Sequence, residues 1–312
     1  MFLGSAGSRL AGMQMQATLG SNVRLDQPLE YLDNLWALYD AVFDSLSDAD
    51  WRRRHGKDWV VADLPYHLYY FDRELVLAPL RRGCEVPAEV VRGAPRTERE
   101  LNAWNQRLFA ERPADETPER SVARWREVRQ ELRAIVDRMD SDALQQPIFV
   151  PIMGAGWVSV GVTLGVDVAH HWNHFTQLRL YLKRSAPIES PTVRHVGLGF
   201  YMSLFQQMAR ADQMQRPFTF TMDFTGPGGG PWTFHVADGA CTLEERRVAA
   251  ADLVMTQTPE TFVKTLAKMH NPMLAMLTRQ VRVRGLRNMG TFAKLMPSPN
   301  DDNLSLPLNL EP

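Results

Sequence analysis

Three of the eight histidines, His170, His171 and His174, stand within five residues of one another in the segment VAHHWNHFTQL. On a helix, residues four apart lie on one face about a turn apart, so His170 and His174 can share one metal ion. That spacing alone occurs in many helices that bind nothing. A wheel of about 100° per residue adds a second observation. Asp167, His170 and His174 share one flank of the apolar stripe Leu164, Val168, Phe175, Leu178 and Leu182. His67 and Glu74 take the equivalent flank of another stripe, Leu64, Leu68, Phe71 and Leu75. Two neighbouring helices with histidine at the core edge can aim at a common point, as metal sites in helical bundles do. The expected ligands are therefore His67, His170 and His174, with Asp167 hydrogen-bonded behind His170 to orient it. His171 falls inside the apolar stripe and reads as a buried histidine bonded to backbone or to Asp167.

Three neutral imidazoles leave a coordination position open, whereas structural zinc is usually closed by four protein ligands, mostly cysteine. Zn2+ is the expected divalent ion, and Ni2+, Fe2+ or Mn2+ suit the same donors. An open ion of this kind can activate water or lower the pKa of a bound thiol.

The elements that must carry these residues follow from the apolar spacing. Leu32, Leu35, Trp36, Tyr39, Val42, Phe43 and Leu46 make one helical stripe after Asp26. A second helix is expected to open at Asp63 as N-cap, with Pro65 in its first turn. Thr97 and Glu100 form a capping box before a short helix to about Ala110, and Thr117-Pro118 starts another. A loop is expected over 147–161, then a helix from about Val162 to Leu182 bearing the histidine cluster. This is the pattern of an antiparallel four-helix bundle with a short extra helix on a crossover.

Beyond Pro187 and Pro191 the texture changes. A helix is expected at about Val196–Ala211. Phe218–Phe224 then alternates as a half-buried strand does, and Gly226–Gly230 turns the chain. Further strands are expected at Trp232–Val236, Ala240–Leu243, Leu253–Thr256 and Val281–Arg284, with Asp238-Gly239 as a tight turn. Helical spacing returns at Phe262, Leu266 and Met269, again at Leu274–Leu277, and last through Met289, Phe292 and Leu295. The expected class is thus α + (α+β), with helices packed on a mainly antiparallel sheet in the C-terminal part. The expected divisions are an extension over 1–25, a helical domain over 26–184, a linker over 185–195, a second domain over 196–297, and a tail over 298–312.

Composition narrows the function classes. Of 312 residues, 45% are hydrophobic and 23% charged, which fits a globular protein. Thirty-five basic residues balance 36 acidic ones, so no electrostatic footprint for nucleic acid exists. No stretch approaches the roughly 20 apolar residues of a membrane span. Cys84 and Cys241 stand far apart, which argues for a reducing, cytoplasmic setting. The first 25 residues contain no acid and read as a disordered extension, or as preceding a start at Met13 or Met15.

The segments WVVADLPYHLYYFDREL (59–75), NAWNQRLFAER (102–112) and HHWNHFTQL (170–178) resemble the DinB-like superfamily of metal-binding four-helix bundles. The resemblance covers about 28–183 and implies one divalent metal on His67, His170 and His174. PFTFTMDFTGPGGGPWTFHVADGACTL (217–243) and LAMLTRQVRVRGLRNMGTFAKLM (274–296) resemble the sterol carrier protein type 2 family. That implies an apolar tunnel, for which Phe205, Met208, Phe262, Leu266, Met273, Met276 and Leu277 are the candidates. This chain departs from the family in having Arg279-Gln280 where Gly-Lys is usual. Arg279, Arg282, Arg284 and Arg287 cluster there as a solvated face, with Arg279 and Arg282 candidates to grip a substrate carboxylate.

The two resemblances occur in this order in the mycothiol-dependent maleylpyruvate isomerases, in which one ligand is Glu where this chain has His170. The resemblance implies a metal- and thiol-dependent transferase or isomerase acting on a small electrophilic substrate, with a low-molecular-weight thiol as partner. Two rival readings are a non-catalytic binder of lipid or another apolar ligand with a structural metal, and a metal-dependent hydrolase. A homodimer is left open. A polar, open metal pocket at the domain junction would favour an enzyme; a closed site beside a continuous apolar tunnel would favour a carrier.

Overall fold

The computed structural model describes residues 28–55, 59–83, 85–151, 156–183 and 188–296. Helix α1, Pro28–Phe43, buries Tyr31, Leu32, Leu35, Trp36, Tyr39, Val42 and Phe43 at the expected three- and four-residue intervals. Helix α2, Leu64–Phe71, follows a 3-10 turn over Val61–Asp63. Asp63 is therefore not its N-cap by side chain: its backbone is already helical, and its carboxylate accepts from the Val60 amide at 2.9 Å. The chain runs on through a π-helical stretch, Asp72–Leu77, into Ala78–Arg82. Helix α3, Glu98–Ala110, is capped by Thr97 and buries none of its residues. Glu100 completes no box with Thr97; its carboxylate accepts from the Arg96 amide instead. Helix α4, Pro118–Val136, buries Val122, Trp125, Val128, Leu132 and Val136.

The segment expected to be a loop is an antiparallel hairpin in its described parts, β1 over Pro147–Val150 and β2 over Gly156–Ser159. Ile148, Phe149 and Val150 are all buried, so this arm has apolar surface on both faces and lacks the period-two alternation that marks a half-buried strand. Helix α5, Val160–Leu182, is buried round most of its circumference, Trp172 and Phe175 fully. It packs on α1 on one side and on the next helix, α6, on another.

Helix α6 spans Pro191–Met208, starting earlier than expected. Ser190 Oγ caps the Val193 amide, and Pro191 sits at the first helical position, where its missing N–H costs nothing. Strands β3 (Phe218–Phe224), β4 (Gly230–Ala237), β5 (Ala240–Glu244), β6 (Leu253–Gln257) and β7 (Arg282–Arg284) form one sheet in the order β5-β4-β3-β6-β7. Every pairing is antiparallel except β3 with β6. Because β3 is central, Thr221 and Asp223 are buried along with its phenylalanines, so the strand is not half-buried. Asp238 and Gly239 both take positive φ, 51° and 74°, in the turn from β4 to β5, as a type I′ hairpin requires. Helices α7 (Pro259–Leu266), α8 (Pro272–Leu277) and α9 (Met289–Leu295) complete the C-terminal half. The outer extension and tail, Cys84, residue 184 and the 185–187 part of the expected linker lie outside the described residues.

A buried ionic network ties the halves together. Glu189 accepts from Trp172 Nε1 and from Arg194 Nε, each at 3.1 Å. Arg179 on α5 lies 3.6 Å from Glu189 and 3.7 Å from Glu260 on α7. Arg194 reaches Glu260 at 3.3 Å. Each of the two carboxylates thus has charged or indole partners from more than one element, which offsets the desolvation a buried charge suffers.

Candidate metal centre and chamber

Helix α2 presents His67, and α5 presents His170 and His174, to one point. His67 Nε2 is 3.0 Å from His170 Nε2 and 3.2 Å from His174 Nε2. Lone pairs at that distance repel one another unless a proton or a cation lies between them. Two ligand nitrogens at about 2.0–2.1 Å from a tetrahedral ion would stand about 3.4 Å apart, close to the spacing seen.

The tautomer of His67 follows from its partners. Tyr70 Oη donates to Asn105 Oδ1 at 2.7 Å, which uses its one proton. At 3.0 Å from His67 Nδ1 the phenol oxygen can then only accept, so Nδ1 carries the hydrogen and Nε2 faces the cluster bare. Burial pushes His67 down to about 3, and His55 and His171 add to that. Burial, then the neighbouring histidines, pushes His170 and His174 well below the ordinary value. All three are neutral at pH 7, the state a metal requires. Aromatic rings hold the imidazoles in place. Phe71 stacks on His170 with centroids 3.5 Å apart and planes 9° from parallel, and Trp59 lies 4.7 Å from His67.

Asp167 does not orient His170. Its carboxylate lies 3.2 Å from His171 Nε2, one helical turn on, and His171 also meets Asp72 Oδ1 at 3.0 Å. Trp125 Nε1 donates to Asp72 Oδ2 at 2.6 Å, and Tyr39 Oη donates to the His171 carbonyl. Burial alone would lower His171, but the Asp72 and Asp167 carboxylates overcome it and hold His171 raised, to about 10. Burial and Asp72 raise Asp167. His171 is thus a buried cation between two acids, in a second cluster directly behind the histidine centre. Glu74 is not at the centre either; it pairs with Arg73. The π-helical stretch runs from Asp72 to Leu77, so the 100° wheel does not place Glu74, which lies within it.

The histidines face a cavity of about 640 Å³. His67, His170, Asn105 and Asn173 line one end, and Phe205, Met208, Phe262, Leu266 and Met276 the other. Met273 and Leu277 do not line it: they are 63% and 78% exposed. Helix α8 buries only Ala275, and residues four apart, Met273 and Leu277, share its outward face. Arg279 is also outside the cavity, and Arg282 lines a separate groove with Asp223, Arg247 and Thr256. Neither arginine can hold a carboxylate at the histidine centre.

Sequence reasoning passed over Trp59, Tyr70, Asp72, Asn105 and Asn173. It also passed over His55, whose buried ring lies 6.2 Å from His174. His55 sits between elements with no periodicity to place it. Tyr70 was findable, since three residues on from His67 is the same helix face.

Residues 31–178 match the DinB superfamily, and residues 204–298 match the SCP-2 sterol transfer family. The chain carries a DinB domain followed by an SCP-2 domain. A solved structure of a histidine-to-alanine variant of the mycothiol-dependent maleylpyruvate isomerase is similar, at 14% identity and TM-score 0.50. It covers 78% of this chain and 88% of that one. A second structure of that isomerase aligns over the same shares at 13% identity and TM-score 0.48. At these identities the likeness is one of fold. Comparison with curated proteins gave no match. The histidine centre thus lies in the DinB domain, and the cavity reaches from it into the SCP-2 domain. No helix among the described residues is long and apolar enough to cross a membrane.

Proposed function

We propose that this chain is a metal-dependent enzyme that activates a low-molecular-weight thiol, acting as a transferase or isomerase on an electrophilic substrate. The observation that carries the reading is the convergence of three imidazole Nε2 atoms in the wall of a cavity large enough for a drug-sized ligand. His67, His170 and His174 are the ligands, with zinc the first expectation and nickel, iron or manganese able to replace it. When bound, the ion supplies an open position and favours the thiolate form of a bound thiol. The chain's own residues do the rest. Tyr70 and Asn105 fix the His67 tautomer, Phe71 and Trp59 hold the rings, and Asn102, Asn105 and Asn173 offer hydrogen bonds at the polar end. In this reading the N-terminal helices make an antiparallel four-helix bundle, the domains meet within 185–195, and the setting is the reducing cytoplasm.

The thiol comes from the named relative as a class; its substrate does not transfer. Maleylpyruvate carries two carboxylates, and among the described lining residues there is no Arg or Lys. The apolar far wall favours a second reading, a carrier with a structural metal. Metal-loaded protein assayed with a thiol panel and uncharged electrophiles separates the readings. Thiol-dependent turnover supports the enzyme, thiol-independent turnover makes it a hydrolase, and binding without turnover makes it a carrier.

A further inference from the structure

The cavity is one chamber built by two domains, and its wall changes character along its length. Around the histidines it is polar: Glu98, Asn102 and Asn105 from α3 and Asn173 from α5. Away from them it is almost wholly apolar. Met208, Met222, Met255, Met276, Met289 and Met296 all line it, from five different elements and the segment after α9. Methionine is unbranched and polarizable, so a wall of this kind fits chains of varied shape better than one rigid outline.

We infer that the substrate is an amphiphile: an uncharged, elongated apolar body lies in the SCP-2 domain, and its reactive head reaches the three histidines. This rests on the proposed metal centre and adds the substrate class to it. A polar or dianionic small molecule would leave the methionine wall uncovered and would find no Arg or Lys among the described lining residues. A lipid bound wholly within the SCP-2 domain would not need the chamber to open onto Phe71, His170 and Asn173. The continuity of the two ends is what singles out a ligand that spans them. Its natural length is set by the distance from the histidines to the Met289 and Phe292 wall. Helix α3, which carries Leu101 and Trp104 as well as the polar residues, covers the head end.

The test uses the full chain loaded with Co2+ and a series of n-alkyl hydroxamates, from acetohydroxamate to decanohydroxamate. The hydroxamate head reports on the metal through the visible Co2+ spectrum, and the alkyl chain reports on the wall. Every member should shift the spectrum, and affinity should rise about fourfold with each added methylene until the chamber is full. Met276→Trp should abolish that gain while acetohydroxamate affinity stays within about twofold; Leu266→Trp reads the same wall if Met276→Trp folds poorly. Affinity independent of chain length overturns the inference and leaves the metal centre standing. Long chains that bind without moving the Co2+ spectrum overturn it too, since head and body would then occupy separate sites. Failure of the chain to take up Co2+ overturns the metal centre and this inference together.

Discussion

Gly197 on α6 lies flat against the indole of Trp172 on α5: a Cβ built there would stand 2.5 Å from Trp172 Cε3. That contact seats α6, and with it the SCP-2 domain, on the helix that carries two of the three histidines.

Gly197→Ala tests the seat. In a free helix the substitution gains about 1 kcal/mol of propensity. Here the clash is with a ring that is itself fully buried, and overpacking costs about 1–3 kcal/mol. The expected net effect is destabilisation, read as a lower midpoint in denaturant. A stabilised Gly197→Ala protein would show that Trp172 has room to move.

Metal content separates the ligands from their neighbours. His67→Ala, His170→Ala and His174→Ala should each lose the ion, while Asp167→Asn should keep about one per chain, because Asp167 touches His171 and not His170. Elemental analysis decides; metal loss in Asp167→Asn would restore it as the partner of His170.

Asp72→Ala strips partners from Trp125 Nε1 and His171 at once. Removing one member of a buried charge cluster costs about 3–5 kcal/mol. Chemical denaturation followed by tryptophan fluorescence should show a loss of that size. A loss below about 1 kcal/mol would mean that water replaces the carboxylate.

Stability of the metal-free protein should fall as pH drops below about 6.5, the unperturbed histidine value. His67 and His55 are held down to about 3 and about 4 by burial. The unfolded chain therefore binds protons that the folded chain does not, and folding weakens as pH falls from 6.5 towards those values. Each such histidine contributes at most about 1.4 kcal/mol per pH unit. His171 works the other way. Its stabilisation is complete below about 6.5 and is lost as pH rises towards about 10. Melting curves between pH 7 and 5 should show the acid slope, and His67→Gln should flatten it. An unchanged slope would place the acid sensitivity elsewhere.

The histidine pair on α5 and the strand pattern after Phe218 were legible because each sits in a regular element whose period assigns faces. His67 was legible because it precedes the π-helical stretch; Glu74 was misplaced because it lies within it. Asp167 was misassigned for a finer reason: a residue can reach either its third or its fourth neighbour along a helix, and only the opposing wall, here Asp72 and Trp125, selects between them. Met273 and Leu277 fall on a helix of six residues, too short for its spacing to show which side faces in. The β1–β2 hairpin carries no alternation, since both of its faces have apolar neighbours. The cavity joining two domains is a property of their packing, and no single segment encodes it.

The Glu189 network has a meaning for synthesis as well as for the finished fold. Chain growth delivers α5 first, with Trp172 and Arg179 on a side that nothing yet covers. Glu189 and Arg194 follow soon after, but Glu260 arrives only once the sheet strands up to β6 have been made. Until then Arg179 and Arg194 share the single carboxylate of Glu189, and the second one that balances them is missing. The histidine helix reaches its final environment late, so acquisition of the metal by a nascent chain and by a released one are chemically different events.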